Sequence, residues 1–298
     1  MYLTNSSKTL FNQLVSEITS VYEENEAKSI VYLLLEYYSH ISKTDILLDN
    51  IFNQTFDFQE IIVRLKAHEP VQYIIGETEF YGRKFKVTVD TLIPRPETEE
   101  LVQLIINNYQ VSIRNENSLL HSSSPNSQAL IPILDIGTGT GCIAISLACE
   151  LPNSQVYAYD ISENALKVAK ENAAINKVNV VFEQVDILNF SSPSLSPFSI
   201  IVSNPPYVMN AEKLVMEQNV LAYEPHLALF VEDSSPLIFY KAIAEFAAER
   251  LINKGLCVVE INQAFGLETA ELFWNQGFQS VEVVKDMFGK DRMVKAIK

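Results

Sequence analysis

The fold of this 298-residue chain is decided by residues 131–141, which read Ile-Pro-Ile-Leu-Asp-Ile-Gly-Thr-Gly-Thr-Gly. The first six residues are mostly apolar, and so short a run bounded by glycine predicts a buried β-strand. Three glycines at alternate positions follow, and glycine permits a tight turn and a close approach of the backbone to a ligand. The segment therefore predicts a strand, a binding loop and a helix in direct succession.

From residue 131 onward, strand and helix patterns alternate. Seven strands are predicted, at residues 131–136, 155–159, 178–182, 198–203, 256–261, 280–284 and 293–297. Helices are predicted between them, at residues 141–150, 163–175, 236–251 and 267–274. This alternation is typical of an α/β fold with a parallel sheet and helices on both faces. Ligands of such sheets bind at the carboxyl ends of the strands, near the switch in strand order.

The region before the glycine loop has a different texture. The first 70 residues carry apolar side chains at three- and four-residue steps, which predicts a small helical domain. Residues 71–96 contain a β-rich stretch with Gly76 and Gly82 and then two prolines, which predicts a β-hairpin linker and a stiff elbow. Residues 97–298 begin with a helix and form the third part. Within them, the Ser- and Asn-rich residues 115–128 predict a solvated loop.

The composition restricts the partners. With 37 acidic and 22 basic residues, the net charge of −15 disfavours free nucleic acid as the main ligand, because phosphate binding needs clustered Lys and Arg. No apolar run is long enough to cross a bilayer and no signal peptide is visible, so we expect a cytoplasmic protein that does not bind membranes. Three scattered cysteines and four isolated histidines predict no metal site.

The glycine loop favours S-adenosylmethionine over a dinucleotide. A Gly-X-Gly-X-X-Gly fingerprint would need glycine at position 142, where this chain has Cys142. Asp160, at the end of the next strand, can accept both hydroxyls of a ribose, which suits either ligand. Asp135 would repel a pyrophosphate but can help to hold the ammonium of a methionine moiety, directly or through water. Asp186, after the third strand, can accept a hydrogen bond from the adenine amine.

The motif Asn204-Pro205-Pro206-Tyr207 follows the fourth strand and is the candidate for catalysis. Two prolines fix φ and remove two backbone donors, which leaves a rigid segment rich in acceptors. Such a segment can hold both hydrogens of an NH2 group and orient its nitrogen toward a methyl donor. Tyr207 can stack on a planar amide or base. By this chemistry alone the NH2 group is that of glutamine, adenine or cytosine.

Across nearly its whole length the chain resembles the bacterial release-factor glutamine methyltransferases, the HemK/PrmC family. The matching stretches include a Pro-Arg-Pro-Glu-Thr-Glu elbow and lie at residues 69–76, 80–82, 92–99, 134–141, 203–207, 223–229 and 289–292. The glycine loop and the Asn-Pro-Pro-Tyr motif are shared with many methyltransferases, including adenine-specific DNA enzymes. The elbow together with the helical N-terminal domain is much more specific.

The resemblance implies a class I S-adenosylmethionine-dependent methyltransferase, with a Rossmann-like, mostly parallel seven-stranded sheet behind a helical substrate-recognition domain. It implies that Asn204, Pro205, Pro206 and Tyr207 clamp the glutamine amide of the Gly-Gly-Gln motif in class 1 release factors, the protein partners. The cofactor would be held by Gly137, Thr138, Gly139, Thr140, Gly141, Asp160 and Asn204. The family often has an aromatic residue beside the adenine after Asp186, where this chain has the apolar Ile187.

Three alternatives remain open from the sequence. A glutamine methyltransferase acting on a ribosomal protein shares the catalytic motifs, and the N-terminal region and the elbow favour a release factor over it. A nucleic-acid amino-methyltransferase is disfavoured by the acidic composition and the lack of a separate basic domain. A noncatalytic S-adenosylmethionine-binding protein is disfavoured by the intact Asn204 and glycine loop.

Overall fold

The structure is a computed structural model, and it describes residues 5–53, 56–117, 130–190 and 197–298. The chain divides into two compact units. The first comprises Met1–Glu77 and Met216–Tyr223, and the second comprises Thr78–Val215 and Glu224–Lys298. Each unit contains buried apolar clusters of its own, so each has its own hydrophobic core.

The described residues form twelve α-helices, numbered in chain order. They are α1 (Ser7–Ile18), α2 (Glu24–Ser39), α3 (Lys43–Leu48), α4 (Gln59–Lys66), α5 (Val71–Ile75), α6 (Pro96–Asn117), α7 (Cys142–Glu150), α8 (Glu163–Ile175), α9 (Gln218–Tyr223), α10 (His226–Leu229), α11 (Ile238–Arg250) and α12 (Gly266–Asn275). Three short 3₁₀ helices lie at Ile187–Asn189, Asn210–Val215 and Gln263–Phe265.

The same residues form eleven strands. They are β1 (Glu77–Phe80), β2 (Arg83–Lys86), β3 (Ile131–Ile136), β4 (Ser154–Asp160), β5 (Val180–Gln184), β6 (Phe198–Ser203), β7 (Val208–Met209), β8 (Phe230–Val231), β9 (Leu251–Glu260), β10 (Ser280–Lys285) and β11 (Asp291–Ile297).

The first unit is helical, as the apolar periodicity of the first 70 residues predicts. Ser6 caps α1 by accepting a hydrogen bond from the Thr9 amide at 3.0 Å, and a capping box with Ser42 begins α3. The sequence did not indicate that α9, more than 140 residues further along the chain, belongs to this unit. Its Tyr223 hydroxyl donates to the Ala67 carbonyl over 2.8 Å.

The predicted β-rich stretch is wrong at residues 71–75, which form helix α5. Pro70 begins this helical turn, because its carbonyl accepts hydrogen bonds from the amides of Tyr73 and Ile74 at 3.0 and 3.1 Å. Gly76 ends it with a left-handed φ of +83°, a conformation that few other residues adopt without strain. Burial of one face in the core of the first unit overrides the local β preference of Val71 and Ile74.

The second unit is built on a seven-stranded sheet in the order β10-β11-β9-β6-β3-β4-β5. Strands β5, β4, β3, β6 and β9 pair in parallel. Strand β11 runs antiparallel to both of its neighbours, β9 and β10. The predicted α/β fold and its seven strands are therefore confirmed. The strand order switches direction between β3 and β6, which places the binding edge at the ends of these two strands.

Besides shifts of one or two residues at other elements, two boundaries differ from the sequence predictions. Strand β9 begins at Leu251 and not at residue 256, because Leu251 pairs with Phe198 ahead of an irregular register. The polar residues that follow Leu251 hide this part of the strand in the sequence. Residues 115–117 of the predicted loop are helical, since α6 continues to Asn117, and residues 118–128 lie outside the described part of the chain.

Asn172 of α8 ties the β1–β2 hairpin to the glycine loop. Its carbonyl oxygen accepts a hydrogen bond from the Lys86 amide at 2.6 Å. Its amide group donates to the carbonyls of Lys86 and Thr140 at 3.0 and 2.9 Å. The side chain is fully buried, so water cannot take its place as the hydrogen-bond partner of these three backbone groups.

We therefore expect Asn172→Ala to lower the free energy of unfolding by about 2–4 kcal/mol, because three buried backbone groups lose their partner. Asn176→Ala, at the half-buried end of the same helix, serves as the control and should cost about 1 kcal/mol or less. Urea denaturation measures both. Equal losses in the two variants would contradict the role given to Asn172.

Candidate functional site

The ends of four parallel strands lie in one row. Ile136 pairs with Tyr159 of β4 on one side and with Ser203 of β6 on the other, and Ser203 pairs with Val259 of β9. The residue after each of these therefore stands at the same edge of the sheet. Those four residues are Gly137, Asp160, Asn204 and Glu260. Three of them were predicted as site residues, and the fourth, Glu260, was not.

Above this row lies a cavity of about 320 Å³, here called the large cavity. It brings together several predicted site residues: Gly137, Gly139, Asp160, Asp186, Ile187, Asn204, Pro205 and Pro206. Other predicted cofactor residues do not line it: Asp135, Thr138, Thr140 and Gly141. Residues 89–92, which were not predicted, form part of its wall. Its size and mixed lining suit a small organic ligand.

A second cavity of about 50 Å³, here called the small cavity, lies beside the first. Tyr207 and Arg95 line it, together with Val208 and Leu229. Four residues line both cavities: Leu92, Asn204, Pro205 and Ala228. The Asn204-Pro205 pair therefore stands where a ligand in one cavity meets a ligand in the other.

The glycine loop holds its shape through backbone hydrogen bonds to β4. The amides of Gly137 and Thr138 donate to the Tyr159 carbonyl at 2.8 and 3.0 Å, and the Gly139 amide donates to Asp160 Oδ2 at 2.8 Å. Gly139 has a φ of +54°, and a Cβ on it would meet no atom within 4 Å, which is open space at the cavity wall. A Cβ on Gly141 would lie 2.9 Å from the Ile145 side chain.

Asp160 is positioned to accept two further hydrogen bonds. Its Oδ2 accepts from Gly139 and its Oδ1 from the Ser162 amide at 2.9 Å, which leaves one lone pair on each oxygen. Burial raises the pKa of this carboxyl, while the backbone amides of Ser162, Gly139 and Ile161 lower it. A pair of neighbouring hydroxyls, as on a ribose, matches this arrangement.

Asp135 contacts the glycine loop and not the large cavity. It is fully buried, and its Oδ2 accepts a hydrogen bond from the Thr138 hydroxyl at 2.6 Å, whereas Oδ1 has no partner among the described residues. Burial raises the pKa of Asp135 to about 7, against the lowering effect of Thr138 and the Ala144 amide. Its predicted role at the methionine ammonium remains a prediction.

Asp186 and Ile187 form another wall of the large cavity. Asp186 caps the 3₁₀ helix Ile187–Asn189, with Oδ1 accepting from the Leu188 amide at 2.9 Å and Oδ2 from the Asn189 side chain at 2.6 Å. The carboxylate is thereby fixed in direction, and the apolar Ile187 stands beside it. Asp186 offers a hydrogen-bond acceptor and Ile187 an apolar surface, and together these suit an adenine ring.

The sequence reasoning missed a polar cluster behind Asn204. Asn204 Nδ2 donates to Thr98 Oγ1 at 3.2 Å, the Thr98 hydroxyl donates to Glu260 Oε2 at 2.8 Å, and the Tyr207 hydroxyl donates to Glu260 Oε1 at 3.1 Å. The sequence signal for it was a glutamate that ends the apolar run of β9. Only the fold brings it beside Thr98, which lies 162 positions away.

Arg95 was also missed as a residue of the small cavity. It is paired with Glu224 at 2.5 Å, and the Glu224 side chain is almost fully buried. The same carboxylate accepts a hydrogen bond from the Ile93 amide at 3.3 Å. The pair therefore fixes the proline-rich elbow, which carries Leu92 and Arg95 to the cavity wall.

Two absences concern the part of the chain that the structure describes. No three His, Cys, Asp or Glu side chains come together in a geometry that could hold a metal ion. Among the helices of that same part of the chain, none combines the length and apolar character needed to span a membrane.

Comparisons with known proteins identify the family of this chain. Residues 127–270 match the family described as methyltransferase domain, and residues 9–76 match the PrmC N-terminal domain. A release factor glutamine methyltransferase of Flavobacterium psychrophilum is 45% identical, over 97% of this chain and 98% of that protein. This chain belongs to the release factor glutamine methyltransferase family.

Two more members of the family are similar over most of their length. The release factor glutamine methyltransferase of Bacteroides thetaiotaomicron is 45% identical over 80% of each chain. That of Lactococcus lactis is 38% identical over 96% of this chain and 98% of its own. Membership confirms the predicted class I methyltransferase fold and S-adenosylmethionine as the methyl donor of this family member. The roles of individual site residues stay predictions.

The glycine loop yields a paired prediction. Gly139→Ala forces a side chain into a left-handed conformation at the cavity wall, at a cost of about 1–2 kcal/mol. We expect it to weaken S-adenosylmethionine binding about tenfold. Gly141→Ala adds a clash with Ile145 and Ala169, so it should mainly lower the free energy of unfolding, by about 2–3 kcal/mol. Calorimetric titration and urea denaturation separate the two effects, and unchanged affinity in Gly139→Ala would contradict the assignment.

The buried Asp135 carboxyl predicts a pH dependence of stability. Its pKa in the folded chain, about 7, exceeds the ordinary value of 3.8, so the folded chain binds this proton more tightly than the unfolded chain. The resulting stabilisation is complete below pH 3.8 and is lost as the pH rises through about 7.

Asp135→Asn cannot titrate at this position. We expect the stability of the wild type, relative to this variant, to fall by on the order of 2–4 kcal/mol between about pH 4 and pH 8. Urea denaturation across that range measures the difference. If the stabilities of the two proteins change in parallel from pH 4 to pH 8, Asp135 is charged in the folded chain over that range. This outcome would contradict the prediction.

Proposed function

We propose that this chain transfers a methyl group from S-adenosylmethionine to the side-chain amide nitrogen of the glutamine in the Gly-Gly-Gln motif of class 1 peptide chain release factors. The products are N(5)-methylglutamine and S-adenosylhomocysteine. The observation that carries the proposal is the junction of the large and small cavities at Asn204 and Pro205. The three relatives, all named release factor glutamine methyltransferases, support the substrate class.

In this proposal the large cavity holds the cofactor. The two free lone pairs of Asp160 accept the ribose hydroxyls, and Asp186 accepts from the adenine amine while Ile187 covers the ring. Gly137 and Gly139 let the backbone approach the methionine part, and Thr138, Thr140 and Gly141 hold the loop from behind. Asp135 supports the same loop through the hydrogen bond from Thr138, near the methionine ammonium.

The small cavity receives the glutamine amide. Asn204 Oδ1 accepts no hydrogen bond from the described residues, so it is available to a hydrogen of the substrate NH2 group. The prolines Pro205 and Pro206 lack amide hydrogens and present carbonyl oxygens, which can accept the second hydrogen. Tyr207 lines the cavity beside them and flanks the planar amide.

Catalysis rests on positioning and electrostatics. When bound, the cofactor supplies an electrophilic methyl group, and the amide nitrogen attacks it as the carbon–sulfur bond breaks. The nitrogen gains positive charge as its lone pair leaves the amide resonance, and acceptors on both of its hydrogens stabilise that charge. The small-cavity lining contains no histidine or lysine, and its arginine is paired with Glu224. The nitrogen therefore loses its proton to solvent during or after transfer.

The division of labour along the chain follows the predicted boundaries. We propose that residues 1–70 form the domain that recognises the release factor, that residues 71–96 link it, and that residues 97–298 catalyse the reaction. The match of residues 9–76 to the PrmC N-terminal domain supports a dedicated function for this region. A release factor as substrate places the reaction in the cytoplasm, with no direct part for nucleic acid or membrane.

Two other substrates share the same chemistry. A ribosomal-protein glutamine would fit the clamp equally well, and the PrmC N-terminal match favours a release factor over it. An exocyclic adenine amine would also offer two hydrogens to Asn204, but the net charge of −15 disfavours a nucleic-acid substrate. The acceptor assay below separates all three.

The proposal predicts that purified protein transfers label from S-adenosylmethionine to a class 1 release factor. A release factor whose motif glutamine is replaced by alanine should receive none, and neither should a ribosomal-protein fraction or duplex DNA. Scintillation counting, followed by mass spectrometry of the modified peptide, reads out the site. Label on the alanine variant or on DNA would overturn the proposal.

Asn204→Ala should lower turnover at least about 100-fold, because one acceptor for the developing positive charge is lost. The affinity for S-adenosylmethionine should change little, since other groups hold the cofactor. Asn275→Ala, at the exposed end of α12, is the matched control and should keep turnover within about threefold. Retained turnover in Asn204→Ala would contradict its assigned role.

A further inference from the structure

An asparagine can serve as an acceptor for the substrate only if its amide is turned the right way. The oxygen and the NH2 group of Asn204 are related by a half-turn about the same bond, and they have opposite hydrogen-bonding character. In the wrong orientation the side chain would present two hydrogens to the two hydrogens of the glutamine amide. Some other group must therefore fix the amide direction.

Thr98 lies where it can do so. Its Oγ1 is 3.2 Å from Asn204 Nδ2 and 2.8 Å from Glu260 Oε2. A hydroxyl has a single hydrogen, and the shorter of these two contacts uses it, from Thr98 to Glu260 Oε2. The Thr98 hydrogen is therefore committed to Glu260, and only a lone pair is left for Asn204. Against a lone pair, the amide must present its NH2 group, which turns Oδ1 toward the substrate.

Glu260 sets the direction of this chain of bonds. It ends β9 in the row of strand ends, it is 2% exposed, and each of its oxygens accepts one hydroxyl, from Thr98 and from Tyr207. Burial raises its pKa, and hydrogen bonds from Thr98 and Tyr207 and the charge of Arg292 act against that rise. Glu97, Tyr240 and Cys142 are the other titratable groups that face it.

We propose that Thr98 and Glu260 are positioning residues, which act through Asn204 by holding its amide oxygen toward the substrate nitrogen. The inference rests on the proposed function, since it assigns Asn204 Oδ1 to the glutamine NH2 group. Neither residue lines the large or the small cavity, so neither contacts the ligands directly. The same carboxyl group also accepts from the Tyr207 hydroxyl, so one buried group orients two residues of the substrate clamp.

The test compares Thr98→Val, which keeps the shape of the side chain and removes the hydroxyl, with Thr98→Ser, which keeps the hydroxyl. We expect Thr98→Val to lower kcat about 10- to 100-fold, because Asn204 no longer has a preferred orientation. The KM for the release factor and the affinity for S-adenosylmethionine should stay within about threefold, since both ligands are held elsewhere. Thr98→Ser should restore kcat to within about threefold of the wild type.

Thr269→Val is the matched control for the substitution itself. Thr269 is fully buried in α12 and its hydroxyl has no hydrogen-bond partner among the described residues, so kcat should be unchanged. Wild-type kcat in Thr98→Val would overturn the proposal. So would equal losses in Thr98→Val and Thr98→Ser, because a purely steric role would not distinguish them in this way.

Thr98→Val leaves a carboxylate oxygen of Glu260 without a partner, and this variant can fail to fold. The double variant Thr98→Val/Glu260→Met removes the buried carboxyl group together with its donor, and it then replaces Thr98→Val in the test. The same loss of kcat is expected, and normal turnover in the double variant would overturn the proposal. Absence of transfer to the release factor by the wild type would instead contradict the proposed function, so the two failures are distinguishable.

Discussion

The site depends on the alignment of four parallel strands at their carboxyl ends. The pairing of Ile136 with Tyr159 and Ser203, and of Ser203 with Val259, fixes which residues follow at the edge of the sheet. A shift of one residue in any of these pairings would point the side chains of that strand to the opposite face. The glycine loop, the Asp160 carboxylate and Asn204 would then no longer share a cavity.

Three carboxyl groups are buried close to this edge: Asp135, Asp160 and Glu260. In each case burial raises the pKa, and hydrogen bonds from neighbouring groups oppose part of that rise. Hydrogen-bond donors around each of these carboxyl groups fix its direction. This arrangement costs stability, and enzymes commonly accept that cost at functional sites.

The substrate clamp is a short segment whose properties come from its surroundings. Pro205 and Pro206 make it rigid by their own covalent geometry. The orientation of Asn204 and of the Tyr207 hydroxyl, however, is set by hydrogen bonds that lead to Glu260. The proline-rich elbow reaches the same place because the Arg95–Glu224 pair holds it there. The clamp therefore combines local stiffness with long-range support.

The sequence by itself determined the α/β fold, the seven strands, and the residues that stand at strand ends, such as Gly137, Asp160 and Asn204. These follow from apolar periodicity and from glycine and proline, whose effects are local in the chain. Only the tertiary structure showed that α9 belongs to the first unit and that Thr98 and Glu260 stand behind Asn204. Such contacts join positions more than 100 residues apart, and burial, which no local pattern records, gives them their strength.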